Sequence, residues 1–158
     1  MTLQLGDTAP DFPAATQDLS APSRTVRVLL PATVLVFGRV AAFGRDVKVN
    51  LTGAEETPPV TTSATGKGTI RIAKDKSVSG TIKTTGIEAT AARIHVGAPG
   101  EAGPPIITLT KGAHGTWTVP AGSKLTEEQF SDFESGELYV NVHSDQHKPG
   151  EIRAQLKP

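Results

Sequence analysis

Apolar and polar residues alternate with a period of two along most of the chain from Val47 onward. Alternation of this kind predicts β-strands that bury one face and turn the other away from the core. It is clearest in the run 47–52 and in the final pair of runs, 138–143 and 152–156. Shorter runs of the same kind cover residues 66–73, 78–85, 91–96, 106–110 and 116–119. Turn residues separate these runs, so the pattern predicts an all-β fold of about 7–8 short strands.

One segment, residues 126–135, has the pattern of a helix instead. Thr126 and Gln129 have the spacing of a capping box, in which each residue satisfies a free backbone N–H of the first turn. Phe130 and Phe133 share one face, and Gly136 is suited to end the helix. We therefore expect an antiparallel Greek-key sandwich or barrel with one short helix.

Composition excludes several classes of function. The 158 residues include sixteen basic and sixteen acidic side chains, so the chain lacks the basic excess of nucleic-acid-binding proteins. It has no Cys, which excludes disulfides, thiol catalysis and cysteine-ligated zinc. No Ser-His-Asp spacing, P-loop, dinucleotide-binding glycine pattern or HExxH motif is present. We therefore predict no catalytic residues and a protein that is not an enzyme.

The first 44 residues differ in composition from the rest, and we interpret them as an extension of a domain at 45–158. Arg24 and Arg27 precede the apolar run Val28–Phe37, and small residues follow at Ala42 and Gly44. This order is typical of an export signal and predicts a secreted or periplasmic protein. An exported protein of this kind could also be associated with the cell envelope. The run is too short for a stable membrane span, but its exposed apolar side chains would favour self-association through residues 28–37.

The opening stretch LQLGDTAPDF, within residues 1–20, resembles the N-terminus of a peroxiredoxin of the alkyl hydroperoxide reductase type. The likeness does not extend further, and the peroxidatic Cys of that family is missing. It therefore implies no peroxidase activity.

A broader resemblance covers residues 47–156. LTGAEETPPVTTSATGKGTIRI, GIEATAARIHVGAPGEAGPPIITL and YVNVHS followed by PGEIRAQL resemble the beginning, middle and end of the CHRD domain, the module named after chordin. The family's usual middle motif contains H-I-H, and here its first His is replaced by Arg93. The resemblance implies an exported module that sits beside other extracellular domains and binds an unidentified extracellular protein or ligand.

Three histidines are candidate metal ligands. In 93–96, Ile94 and Val96 take one face of the strand and His95 the other, and the same parity turns His143 away from the core. The resemblance implies that these two strands come together, and His147 follows in the adjacent loop. Neutral imidazoles bind copper or zinc, so His95, His143 and His147 form the predicted site, to which Asp145 or Glu151 could add an oxygen.

This arrangement is similar to the outer-face histidines of copper-zinc superoxide dismutase. The strand pattern resembles the fold of that enzyme and also the immunoglobulin fold. The alternative is that these histidines are surface or hydrogen-bonded structural groups, and Arg93 adds a positive charge that opposes a cation.

Four further side chains are candidates for binding a partner or ligand: Arg93, Asn141, Glu151 and Arg153. Strand parity places them on the outer faces of the strands that carry His95 and His143. For Glu151 and Arg153 the alternative is a structural salt bridge that holds the final strand. The leading hypothesis is thus an exported, non-enzymatic β-sandwich binding module, and the alternative is a copper- or zinc-binding protein.

Overall fold

The computed structural model describes residues 44–158. They form nine strands: β1 Gly44–Thr52, β2 Thr65–Ala73, β3 Val78–Thr85, β4 Ala89–Val96, β5 Pro105–Thr108, β6 Thr110–Lys111, β7 Thr116–Thr118, β8 Leu138–Ser144 and β9 Ile152–Leu156. One α-helix, α1, covers Glu127–Glu134, and one 3-10 turn covers Gly53–Glu55. The all-β prediction is confirmed, with nine strands in the described part rather than seven or eight.

The strands form one antiparallel sheet in the order β5-β4-β8-β9-β1-β2-β3-β7-β6, which curls into a nearly closed barrel. Its two edge strands, β5 and β6, are consecutive in the chain and are separated only by Leu109. The Leu109 amide donates to the carbonyl of Ala92 in β4 (2.9 Å), so the segment 105–111 pairs with both ends of the sheet. On the opposite side, β9 joins β1 through the pair Thr52 and Arg153.

The apolar faces of the strands meet inside this barrel. Val47, Val49 and Leu51 of β1 are buried while Lys48 and Asn50 between them are exposed, as the alternation predicts. The innermost side chains come from strands on both sides of the barrel and have no exposed surface: Leu51, Ile70, Ile94, Leu138, Val140, Val142, Ile152 and Leu156. Each such side chain contributes about 1.5–3 kcal/mol by leaving water, so the core holds the two halves together.

The helix forms where its capping pattern predicts. The Thr126 hydroxyl accepts from the Gln129 amide (3.2 Å), and the Thr126 amide donates to the Gln129 side chain (3.0 Å). Phe133 is buried in the core. Gly136 follows the helix at φ +77°, a conformation that side-chain-bearing residues rarely adopt, and so ends it.

The interpretations of residues 1–43, namely the peroxiredoxin-like opening, the signal-like run and self-association through 28–37, lie outside the described residues. Within residues 44–158, no helix has the length and apolarity needed to cross a membrane.

Candidate functional site

The outer faces of β4, β8 and β9 carry a continuous set of polar side chains, which we call the polar layer: His95, Tyr139, Asn141, His143, Arg153 and Gln155. The strand register arranges them in rows. One row runs from Arg93 through Asn141 to Arg153, and the next runs from His95 through Tyr139 to Gln155. The sequence parity that placed His95, Asn141, His143 and Arg153 on the non-core face is therefore confirmed.

The polar layer is not at the surface, and the expectation that outward parity exposes these side chains is wrong. His95 and His143 are each only 6% exposed and Asn141 only 4%, and all seven residues of β8 are buried. Three segments, residues 53–62, 97–104 and 145–151, cover the outer face, as the contacts below show. A strand residue that points away from the core is solvent-exposed only if no loop folds back over it.

The segment 97–104 is held mainly by Arg153. Its guanidinium donates to the carbonyls of Glu101 (2.7 Å) and Ala98 (2.9 Å). The amide of Gln155 adds a hydrogen bond to the carbonyl of Gly97 (2.8 Å). Arg153 is only 2% exposed, and loop carbonyls rather than a carboxylate satisfy its donors. Its side chain therefore fixes the path of the segment.

An aromatic stack supports the same segment. The Arg153 guanidinium lies 3.6 Å from the centre of the Tyr139 ring, and the His95 ring stacks on Tyr139 at 4.9 Å with an interplanar angle of 15°. Gly103 joins this stack through its main chain: its amide donates to the Tyr139 hydroxyl (3.1 Å), and its carbonyl accepts from His95 Nδ1 (2.9 Å). The cation–π contact and these hydrogen bonds thus stabilise the same segment, 97–104.

The turn 145–151 is fixed from the other end of the layer. His143 Nδ1 donates to the carbonyl of Lys148 (2.9 Å), and the Asn141 amide lies 3.4 Å from the carbonyl of Pro149. Gly150, at φ +150°, packs so closely on Asn141 that a Cβ there would meet its amide atoms at 2.4 Å. Only glycine fits this approach.

Glu151 connects two segments. Its carboxylate accepts from the hydroxyls of Ser144 (2.5 Å) and Thr62 (2.7 Å). Within residues 44–158 neither Glu151 nor Arg153 takes part in the salt bridges that the structure shows, which join Arg71 to Asp46 and Lys76 to Glu127. Both residues instead hold loops by hydrogen bonds.

His95 and His143 lie close together, with ring centroids 5.9 Å apart, so the predicted proximity is confirmed. Since both Nδ1 atoms face carbonyl oxygens, each Nδ1 carries the proton and each Nε2 keeps a lone pair. Both Nε2 atoms are buried and have no hydrogen-bond partner. Burial is the main cause that lowers the pKa of each imidazole, and the positive charge of half-buried Arg93 lowers both further.

His147 does not join this pair. It is half-buried in the turn, where its amide donates to the Ser144 hydroxyl (3.1 Å). Among residues 44–158, no group of three or more His, Cys, Asp or Glu side chains is arranged to hold a metal ion. The structure therefore brings together two of the three histidines, His95 and His143.

Glu56 is a member of the site that the sequence pattern did not identify. It precedes Pro58 and Pro59 in an irregular segment, where it looks like a solvated charge, yet it is only 7% exposed. Burial raises its pKa to about 7, against a smaller lowering effect of the Thr57 amide and of Arg153. Its Oε2 lies 3.5 Å from the Asn141 amide, and its Oε1 has no partner. Because the segment has no periodicity, alternation could not reveal this burial.

A comparison with protein-family models identifies the family of this fold. The model of the CHRD domain matches residues 47–156, a range that contains the polar layer and all three segments covering it. Neither a comparison with curated proteins nor one with solved structures gives a match. The match spans well over half of the chain and almost all of the described β fold, and the chain therefore belongs to the CHRD domain family.

Proposed function

We propose that this chain is an exported, non-enzymatic binding module whose recognition surface is the outer side of the three covering segments, 53–62, 97–104 and 145–151. One observation carries the proposal: the buried polar side chains make hydrogen bonds to the main chain of the segments 97–104 and 145–151 and to side chains of the segment 53–62. Arg153, His95 and His143 together hold four loop carbonyls, those of Ala98, Glu101, Gly103 and Lys148. A polar layer of this kind serves to shape loops.

Rigid loops favour binding because the entropy of ordering them has already been lost on folding. The outward residues of the segments are exposed and polar, among them Glu101, Gln146 and Lys148. A pocket of about 300 Å³ lies where two of the segments meet β9, and Glu56, Gly100, Arg153 and Lys157 are among its lining residues. Charges of both signs around one pocket suit a polar protein segment rather than a uniformly charged polymer.

The arrangement of titratable groups favours binding over catalysis. A general acid or base must come within hydrogen-bond reach of a substrate. His95 and His143 are covered by loops and do not line the pocket beside Arg153. The three-histidine metal function is also less well supported, since His147 lies apart from the pair.

Export of this module is supported by the signal-like order of residues 24–44 and by membership of a family of extracellular-type domains. Fractionation of cells that produce the tagged chain tests it. We expect the chain in the medium or the periplasmic fraction, and recovery only from the cytoplasm would contradict this part of the proposal.

Site-specific photocrosslinking tests the recognition surface. A photoreactive amino acid is placed at Glu101 or Gln146, both on covering segments, and at Lys83, an exposed position of β3, as the matched control. After irradiation on the producing cells, we expect the same protein adduct from both loop positions and none from Lys83. Equal labelling at all three positions, or no adduct from either loop, would refute the proposed surface.

A further inference from the structure

The two buried imidazoles of the polar layer each keep one ring nitrogen without a partner. His95 and His143 are both 6% exposed, and each donates its Nδ1 proton to a loop carbonyl at 2.9 Å. The two carbonyls belong to different segments, so each tautomer and ring orientation is fixed independently. A carbonyl on Nδ1 that orients an imidazole for ligation through Nε2 is the usual arrangement behind metal-bound histidines.

Leaving two buried nitrogen acceptors unsatisfied costs free energy. The two Nε2 atoms are thus a set of buried lone pairs that carry no proton. A cation, rather than another acceptor, is what such a set can accommodate.

We propose that His95 and His143 bind one cuprous ion, Cu(I), between their Nε2 atoms in a two-coordinate site. The ring centroids are 5.9 Å apart. Two metal–nitrogen bonds of about 2 Å each, together with the distances from the ring centres to the Nε2 atoms, add up to slightly more than this separation, so the N–Cu–N unit would be slightly bent. The site is independent of the binding surface formed by the outer side of the loops.

The surroundings favour Cu(I) over zinc. Zinc takes four ligands, and no third His, Cys, Asp or Glu within residues 44–158 joins the pair. Cu(I) is stable with two neutral imidazoles. A single charge also costs less to bury than a double charge, because the desolvation penalty rises with the square of the charge. Arg93, whose charge reaches both rings, repels a monovalent ion half as strongly as a divalent one.

Anaerobic competition between the full-length chain and a chromophoric Cu(I) chelator measures this binding. We expect one Cu(I) per chain, with X-ray absorption showing two nitrogen ligands. His95→Asn and His143→Asn keep an N–H near the Nδ1 position and remove Nε2, and each should weaken binding at least about a hundredfold, more than the loss of an outer-shell partner. His147→Asn and His114→Asn are the matched controls and should bind as the original chain does.

Nitrogen-15 NMR of the histidine rings gives a readout that does not depend on any variant folding. Cu(I) should shift the Nε2 resonances of His95 and His143 and leave the Nδ1–H tautomer unchanged. The proposal is overturned if the chelator retains all copper, or if His147→Asn loses binding as the other two variants do. It is also overturned if Cu(I) leaves the Nε2 resonances unchanged, because a bound water would then be the partner of these atoms. Arg93→His, which restores the usual family motif and removes a positive charge, should tighten binding; weaker binding in that variant would also count against the site.

Discussion

Glu56 is the residue whose ionisation most directly affects the site. Its carboxyl group lies under a covering segment, beside the Asn141 amide and in van der Waals reach of Gly150. Burial disfavours the charged form and raises the pKa to about 7, so the group is largely protonated in mildly acidic solution. The protonated carboxyl can donate a hydrogen bond to an acceptor in the layer, whereas the carboxylate can only accept.

Replacing Glu56 with Gln should remove one pH dependence of stability. Between its ordinary pKa of 4.5 and about 7, Glu56 binds more protons in the folded than in the unfolded state, so its contribution is fully present below 4.5 and is lost as the pH rises through 7. Chemical denaturation across pH 4–8 should therefore show Glu56→Gln gaining stability relative to the original chain as the pH rises, with a plateau above about 7.5.

The lowered pKa values of His95 and His143 act in the opposite direction in the same experiment. Their contribution is present above about 6.5 and is lost as the pH falls, because the unfolded imidazoles bind protons that the folded ones exclude. The comparison must therefore be the difference between variant and original chain at each pH. Glu55→Gln, at the exposed neighbouring position, controls for the change in net charge. A Glu56→Gln difference that does not vary with pH would contradict the assigned burial.

For single residues, the sequence predicts which face of a strand a side chain takes better than it predicts whether that side chain is buried. Parity correctly turned His95, Asn141 and His143 away from the core, because side chains of a strand alternate strictly. It could not show that loops bury them, since loop paths depend on long-range contacts such as Arg153 with Glu101. Glu56 was missed for the same reason, because its segment has no periodic pattern.

At the scale of elements, β8 and β9 act as a platform with two buried faces. Val140 and Val142 of β8 enter the barrel core, while Asn141 and His143 hold the covering turn. β9 adds Arg153 and Gln155, whose donors reach the segment 97–104. Strand packing and loop positioning are therefore coupled. A substitution in the polar layer should destabilise the covering segments more than it destabilises the barrel.

Arg153→Met tests this coupling. Methionine fills much of the same volume but cannot make the hydrogen bonds to Glu101, Ala98 and Gln155 or the charged contact with Tyr139. We expect a loss of about 2–4 kcal/mol in the free energy of unfolding, because buried carbonyls lose their donors. Amide hydrogen exchange should accelerate most at Glu101 and Gly103, whose protection depends on the held loop.

Lys157→Met is the matched control for that experiment. Lys157 lines the same pocket as Arg153 but is exposed, so its replacement should change stability by less than about 0.5 kcal/mol. Amides of the β1–β2 pairing should keep their exchange rates in Lys157→Met, and in Arg153→Met they should accelerate less than the amides of Glu101 and Gly103 do. If Arg153→Met accelerates exchange equally in β1 and in the segment 97–104, the residue supports the whole barrel and not the loop in particular.

At the scale of the molecule, closure of the barrel depends on two narrow joints. One is the segment 105–111, which pairs with β4 and β7 in turn, and the other is the contact of β1 with β9 at Thr52. The sequence predicted the strands and the helix because their signals are local: alternation, turn residues and the Thr126 capping box. It did not predict these joints, because strand order depends on contacts between distant residues.

The strand content of residues 44–158 leads to a prediction about the rest of the chain. β1 begins at Gly44, paired with Ala73, and the buried core of the described region is assembled from its own strands and helix. A chain that begins at Gly44 should therefore fold with a melting temperature within about 2 °C of the full chain, which corresponds to less than about 1 kcal/mol for a domain of this size. Calorimetry of both chains measures this difference.

A chain that begins at Gly53 is the control for that measurement, because it lacks β1 and with it the buried side chains of Val47, Val49 and Leu51. Without β1 the sheet is cut between β9 and β2, and the core side chains that β1 covers are exposed to water. The cooperative unfolding transition should therefore disappear. The two truncations separate the possibilities. If the chain from Gly44 loses its transition as the chain from Gly53 does, the domain boundary lies before β1, and residues 1–43 supply contacts on which the barrel depends.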